Sequence, residues 1–100
     1  MTEISAYDPQ ARQRFQDAFE YVLEGVATHI RQGQTAGVIR ASLHPVETAG
    51  WITWMGERGM SRMAPGADQA TIGRLATSIA ELIWYGVYDD DYRRQVEELR

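Results

Sequence analysis

The stretch from residue 71 to residue 88 constrains this chain most, because its apolar residues recur at helical spacing. The residues on the first face are Ile72, Leu75, Ala76, Ile79, Leu82, Ile83 and Val87. This i, i+3, i+4, i+7 pattern predicts a helix with a continuous apolar face over roughly four turns. Ala80, Trp84 and Tyr88 extend a second, partly apolar face. A helix that is apolar on two sides must be covered on two sides, so we expect other helices of the chain or a second copy to pack against it.

Composition limits the chain to one small domain, residues 1–100, with a thin core. The 100 residues are 44% hydrophobic, and a chain of this length buries a modest fraction of its surface. The formal net charge of -4 argues against nucleic-acid binding by neutralisation of phosphates. The apolar run near the end is interrupted by Glu81 and is too short to span a membrane.

The cellular compartment is predicted from two negative signals. The chain has no cysteine, so a disulfide framework and a thiolate metal site are excluded, which fits a reducing environment. The first four residues lack the basic start and apolar run of a signal peptide. We therefore expect a cytoplasmic protein.

A long amphipathic helix is predicted over residues 9–32. Asp8 is placed to cap it and Pro9 suits the first helical position. Gly33 and residues 34–37 are expected to end it. Residues 38–43 resemble a strand, but one short strand without a partner is implausible. We interpret that segment as an extended connector whose side chains Val38, Ile39 and Leu43 fill the core.

Three further helices follow in the prediction. The second begins at Pro45, after His44, and runs to about Met63. Residues 64–67 form a turn, and Asp68 caps the third helix, which ends near Tyr88. Tyr92, Val96 and Leu99 have the spacing of a short terminal helix. Gly50, Gly56 and Gly59 within the second helix each cost up to ~1 kcal/mol relative to alanine, which close helix approach, space for a bound molecule or a kink would explain.

Several segments of the predicted helices match a known family. They are Leu43-His44-Pro45, the run AGWITWMGERGM from Ala49 to Met60, the Pro65-Gly66 turn, and LIWYGVY from Leu82 to Tyr88. In these segments the chain resembles the C-terminal ligand-binding and dimerisation domain of TetR-family transcriptional repressors. The resemblance implies an all-α, antiparallel helical domain of three long helices. It implies a regulatory fragment without the DNA-binding helix-turn-helix domain, paired with its copy through a four-helix bundle.

The resemblance also implies a set of ligand-binding residues. These are Phe19 and Leu23 on the first helix, Thr53 and Gly56 on the second, and Trp84 on the third. Trp51, Trp54, Met55 and Met60 are plausible neighbours, because aromatic and methionine side chains suit adaptable apolar pockets. The alternative is that aromatic and methionine residues at helical spacing form ordinary core.

The third helix supplies the expected dimer interface. Leu75, Ile79, Leu82 and Gly86 lie on one stripe of small and branched residues suited to helix contacts. The alternative is that this stripe is covered within one chain, and which face meets the second copy stays open.

Catalysis and metal binding are not expected. His29 and His44 are the only histidines, and no His, Asp and Glu cluster has metal-ligand spacing. Ser42 near His44 lacks the orienting third group that an activated nucleophile needs. The sequence therefore predicts no enzyme activity, no metal and no cofactor.

Two functions remain. The first is a homodimeric regulatory domain of a TetR-like repressor that binds a hydrophobic small-molecule effector. In a full-length regulator, ligand entry would change the spacing of the DNA-binding heads and release the operator. The second is a ligand-free helical dimerisation module. In both, the partner is a second copy, and the segment contacts neither nucleic acid nor membrane.

Overall fold

Four helices make up residues 8–100, the part of the chain that the computed structural model describes. We number them α1 (Pro9–Thr35), α2 (Pro45–Met63), α3 (Gln69–Val87) and α4 (Asp90–Glu98). Within these residues β pairing is limited to one antiparallel bridge between Ile39 and Tyr88. The all-α class is confirmed, and the short terminal helix is present as α4.

Side chains cap the N-termini of all four helices. Aspartate oxygens accept the cap hydrogen bond from Gln10 N to Asp8 (3.0 Å), from Thr71 N to Asp68 (2.8 Å) and from Tyr92 N to Asp89 (3.1 Å). His44 Nδ1 accepts the corresponding bond from Glu47 N at 3.3 Å. Hydrogen bonds from Thr71 hold the pKa of Asp68 below its usual value. These caps occupy the free N–H groups of each first turn, which is why the predicted helix starts are correct.

The end of α1 differs from the prediction by one turn. The helix continues to Thr35 rather than stopping at residue 32. Gly33 stays helical, and the side chain of Ile39 fills the space where a Cβ of residue 33 would lie. The reversal is made by Gly37, whose φ of 79° lies in the left-handed region that glycine adopts freely.

The core lies where α1, the connector and the ends of α2 and α3 meet. Its buried residues are Ala27, Ile30, Ile39, Ala49 and Val87. Val38 and Leu43 pack against this cluster as predicted for the connector. The connector also pairs with the chain after α3, because Arg40 N donates to Val87 O and Asp89 N donates to Val38 O.

Arg40 fastens the connector to the junction between α3 and α4. Its Nε donates to Gly86 O at 3.1 Å, and its Nη2 donates to Tyr85 O at 3.0 Å and to Asp90 Oδ1 at 2.9 Å. Arg93 also binds Asp90, and its guanidinium lies 5.0 Å from the ring centre of Tyr85. Arg40 therefore occupies carbonyls that the C-terminus of a helix leaves without partners.

We expect Arg40→Ala to lower the free energy of unfolding by about 1–3 kcal/mol, because three charge-assisted hydrogen bonds disappear. Urea denaturation followed by circular dichroism measures the change. The control is Arg94→Ala, which removes an exposed ion pair with Asp91 within α4 and is expected to cost less than about 0.5 kcal/mol. Equal losses in the two variants would contradict this role of Arg40.

The contact of Arg40 and Arg93 with Asp90 makes the free energy of unfolding depend on pH. Hydrogen bonds from Arg93 and Arg40 lower the pKa of Asp90. A lowered pKa in the folded state means that the ionised group stabilises the fold above the ordinary aspartate pKa of about 3.9. This contribution is lost as the pH falls through the lower, folded-state pKa.

The helices form a flat, extended arrangement. The Cα atoms span 50 × 31 × 15 Å with a radius of gyration of 16.4 Å, whereas a compact domain of this length has a radius of about 13 Å. The chain exposes 7768 Å², about 2,000 Å² more than expected for a compact monomer of its mass. This excess surface accompanies the elongated shape of the molecule.

Candidate functional site

A groove with an aromatic floor separates the first half of α1 from the second half of α2. Phe15 and Phe19 follow one another on α1 with ring centres 6.3 Å apart. Trp54 of α2 meets Phe19 edge-on at 5.7 Å. The rings lie together because Phe15 and Phe19 are one helical turn apart on the side of α1 that faces α2.

The rim of this groove is polar and balanced in charge. The lining residues are Arg12, Phe15, Gln16, Phe19, Glu20, Trp54, Glu57 and Arg58, around an open volume of about 590 Å³. Two arginines and two glutamates surround the three rings. An apolar floor with a few polar groups is the general character of small-molecule sites.

The five predicted ligand residues do not converge on this groove. Phe19 lines it, and Leu23 lies one turn further along α1, packed against the core. Thr53 Oγ1 donates to Ala49 O at 2.7 Å, so its hydroxyl bonds to its own helix. Gly56 faces α3, where an added Cβ would lie 3.7 Å from Ile79 Cδ1.

Trp84 belongs to a separate aromatic cluster between α3 and α4. Its ring centre is 5.2 Å from that of Tyr88 and 6.1 Å from that of Tyr92. Its indole Nε1 lies 3.5 Å from Glu97 Oε1. The cluster attaches α4 to the end of α3.

A second cleft, of about 180 Å³, lies between α2 and α3. Its lining is apolar apart from one serine and comprises Met55, Gly56, Gly59, Met60, Met63, Leu75, Ser78, Ile79 and Leu82. Leu75 and Ile79, two predicted interface residues, are half-buried on its α3 side. Both face α2 of the same chain.

The other two predicted interface residues are open to solvent. Leu82 is 60% exposed, and Gly86 is exposed beside Tyr85, which is 56% exposed. Together with Ser78 and Glu81 these residues line a shallow depression on α3. The exposed side chains of Leu82 and Tyr85 and the two exposed methionines of the cleft form what we call the α2–α3 surface: Met55, Met63, Leu82 and Tyr85.

A third, open pocket lies on an exposed face of α2. Glu47, Trp51 and Trp54 follow at i, i+4 and i+7, and with Gly50 they line an open pocket of about 570 Å³. Trp51 is 77% exposed and Trp54 is 62% exposed. Trp54 therefore lines both this pocket and the aromatic groove.

Neither histidine joins a metal cluster within residues 8–100, where no group of three His, Cys, Asp or Glu side chains has a suitable arrangement. His44 caps α2, as expected for its position before Pro45. His29 is exposed on α1.

Phe15, Glu47 and Arg40 were not among the predicted site residues. Phe15 was recognisable as the residue one turn before Phe19 on the same face. Glu47 lies in the first turn of α2, and its helical spacing to Trp51 and Trp54 is visible in the sequence. Arg40 carried no local signal, because its partners Tyr85 and Gly86 are 45 and 46 residues away.

No helix within the described part of the chain is long and apolar enough to cross a membrane. Comparison with protein-family models, with curated proteins and with solved structures gives no match to this chain.

Proposed function

We propose that the chain is a homodimeric regulatory domain of the TetR type, which pairs through the α2–α3 surface and takes a hydrophobic effector in the aromatic groove. The observation that carries the proposal is the exposure of Leu82 and Tyr85 beside the methionine-lined cleft. Single exposed apolar residues are common on proteins, but a continuous apolar patch on a helix pair is typical of an interaction surface.

The surface area supports a second copy as the occupant. The chain exposes about 2,000 Å² more than a compact monomer of its mass, and one partner buries about 800 Å² in a standard interface, so the surface is large enough for a second copy. A second copy is also always available as a partner, because any solution of this protein contains other copies of the chain. Two-fold pairing of α2 and α3 with their copies produces a four-helix bundle, which buries the apolar stripe of both helices.

Helix α2 connects the two sites. Trp54 lines the groove and the next residue, Met55, lines the α2–α3 cleft. An effector that packs against Trp54 and binds more tightly to one position of α2 than to another shifts the equilibrium between two arrangements of the paired chains. In a longer regulator this shift is transmitted to attached DNA-binding domains.

A ligand-free dimerisation module is the second candidate. The hydroxyl of Thr53, one of the predicted ligand residues, is already bonded to Ala49 O. The groove is open to solvent. Pairing alone would account for the exposed α2–α3 surface without a ligand in the groove.

Thermal denaturation with a panel of uncharged apolar compounds separates the two candidates. For an effector site, we expect the melting temperature to rise with ligand concentration, because a ligand that binds only the folded state stabilises it by RT ln(1 + [L]/Kd). Phe19→Ala is expected to reduce that rise, because it removes one ring of the groove floor. Tyr21→Ala is the matched control, since Tyr21 is an exposed aromatic residue of α1 that does not line the groove. No rise with any compound would exclude an uncharged effector and favour the ligand-free module.

A further inference from the structure

The pocket on the exposed stripe of α2 combines a carboxylate with two indole rings. Glu47, Trp51 and Trp54 lie on the same side of the helix, because residues spaced by four and seven positions share one face. Gly50 lies between them and leaves the floor open, since a Cβ added there would meet no atom within 4 Å. The pocket is therefore bounded by aromatic faces and one acid.

The acid is not neutralised by the chain. Among residues 8–100, the ion pairs of the structure are those of Asp90 and Asp91 with arginines, and the Glu47 carboxylate takes part in none of them. No arginine lines this pocket. An exposed carboxylate beside electron-rich ring faces attracts a cation, both by direct charge and by the quadrupole of each indole.

The neighbouring groove suits the apolar part of such a ligand. Trp54 is shared between the pocket and the groove, where its ring meets Phe19. A molecule bound over the Trp54 ring therefore lies where the pocket and the groove adjoin, with Glu47 and Trp51 on the pocket side and Phe19 on the groove side.

We propose that the Glu47–Trp51–Trp54 pocket binds the ammonium group of an organic cation whose apolar portion lies in the aromatic groove. Tertiary and quaternary ammonium groups fit this chemistry, because their charge is spread over alkyl groups that pack on aromatic rings. This inference rests on the proposed function, since it names the class of effector that the groove takes.

The test uses benzyltrimethylammonium as the probe and 2-methyl-1-phenylpropan-2-ol as a neutral compound of closely similar shape. The three indole N–H signals in a ¹H–¹⁵N spectrum report binding separately. We expect the cation to shift the Trp51 and Trp54 signals in a saturable manner. The Trp84 signal serves as the internal reference, because this indole lies in the α3–α4 cluster.

Three variants make the assignment specific. Glu47→Gln is expected to weaken binding of the cation at least about fivefold and to leave the alcohol unaffected. Glu24→Gln makes the same change of charge at an exposed position of α1 and is expected to leave both affinities within about twofold. Gly50→Leu fills the floor with a good helix former and is expected to abolish binding of the cation while circular dichroism stays unchanged.

Each other outcome overturns the proposal in a distinct way. If the alcohol binds as tightly as the cation, or Glu47→Gln retains full affinity, the cation proposal is wrong and a hydrophobic effector site remains. If neither compound shifts Trp51 or Trp54, the cation proposal fails. If the uncharged panel in the thermal test also fails, the effector site of the proposed function fails with it. Dimerisation is tested independently of all these results.

Discussion

Leu82→Glu is expected to convert the proposed dimer into a monomer. In a two-fold interface that includes Leu82, the substitution brings in one carboxylate from each copy and removes two apolar side chains. Burial of an unpaired charge costs several kcal/mol, so we expect the dissociation constant to rise by a factor on the order of 1,000. Sedimentation equilibrium at micromolar concentrations measures the change directly.

The matched control for this substitution is Leu99→Glu. Leu99 is 86% exposed after α4 and lies outside the α2–α3 surface, so the same change of charge and hydrophobicity there is expected to leave the dimer intact. The monomer of Leu82→Glu is expected to keep its helical circular dichroism spectrum, since Leu82 is exposed within one chain. A dimer that survives Leu82→Glu would place the interface on another face.

Gly33→Ala is expected to destabilise the fold by about 1–3 kcal/mol, although alanine favours helices more than glycine does. An added Cβ would lie 2.4 Å from Ile39 Cδ1 and 2.6 Å from Ile39 Cγ1. Ile39 is buried, its N–H donates to Gly33 O, and its backbone forms an antiparallel β-bridge with Tyr88. The side chain is therefore held from several directions and must distort the core to make room.

Gly25→Ala is the control for Gly33→Ala, because the same substitution is expected to change the free energy of unfolding in the opposite direction. Gly25 lies two turns earlier in α1, and an added Cβ there would meet no atom within 4 Å. We expect Gly25→Ala to raise the free energy of unfolding by up to ~1 kcal/mol, which is the gain in helix propensity. Urea denaturation of both variants measures the difference, and a gain in Gly33→Ala equal to that in Gly25→Ala would contradict the close contact with Ile39.

Local chemistry made the helix starts predictable. Asp8, His44 and Asp68 stand directly before a helical apolar pattern, and each provides an acceptor for the free N–H groups of the first turn. The role of Ile39 in the core also followed from the sequence, because an apolar residue in a connector without a partner strand must be buried elsewhere.

The relative placement of side chains on α3 was less predictable. Periodicity placed Leu75, Ile79 and Leu82 on one broad face, but it carries no information on how far α2 reaches across that face. In the structure α2 covers Leu75 and Ile79 and leaves Leu82 exposed. Trp84 joins Tyr88 and Tyr92 because α4 turns back towards α3. That junction is also held by Arg40, which bonds to Asp90 from 50 residues away, and periodicity carries no information on such a contact.

The attachment of α3 has a mechanical consequence. Its C-terminal end is held by the connector through Arg40 and by α4 through the aromatic cluster, whereas its contact with α2 is slight. A helix held firmly at one end and lightly packed along its length moves most at its other end. Small rotations about residues 85–90 therefore displace the N-terminal turn of α3, together with the 64–68 turn that joins it to α2, further than the rest of α3, so that α3 pivots beside the core.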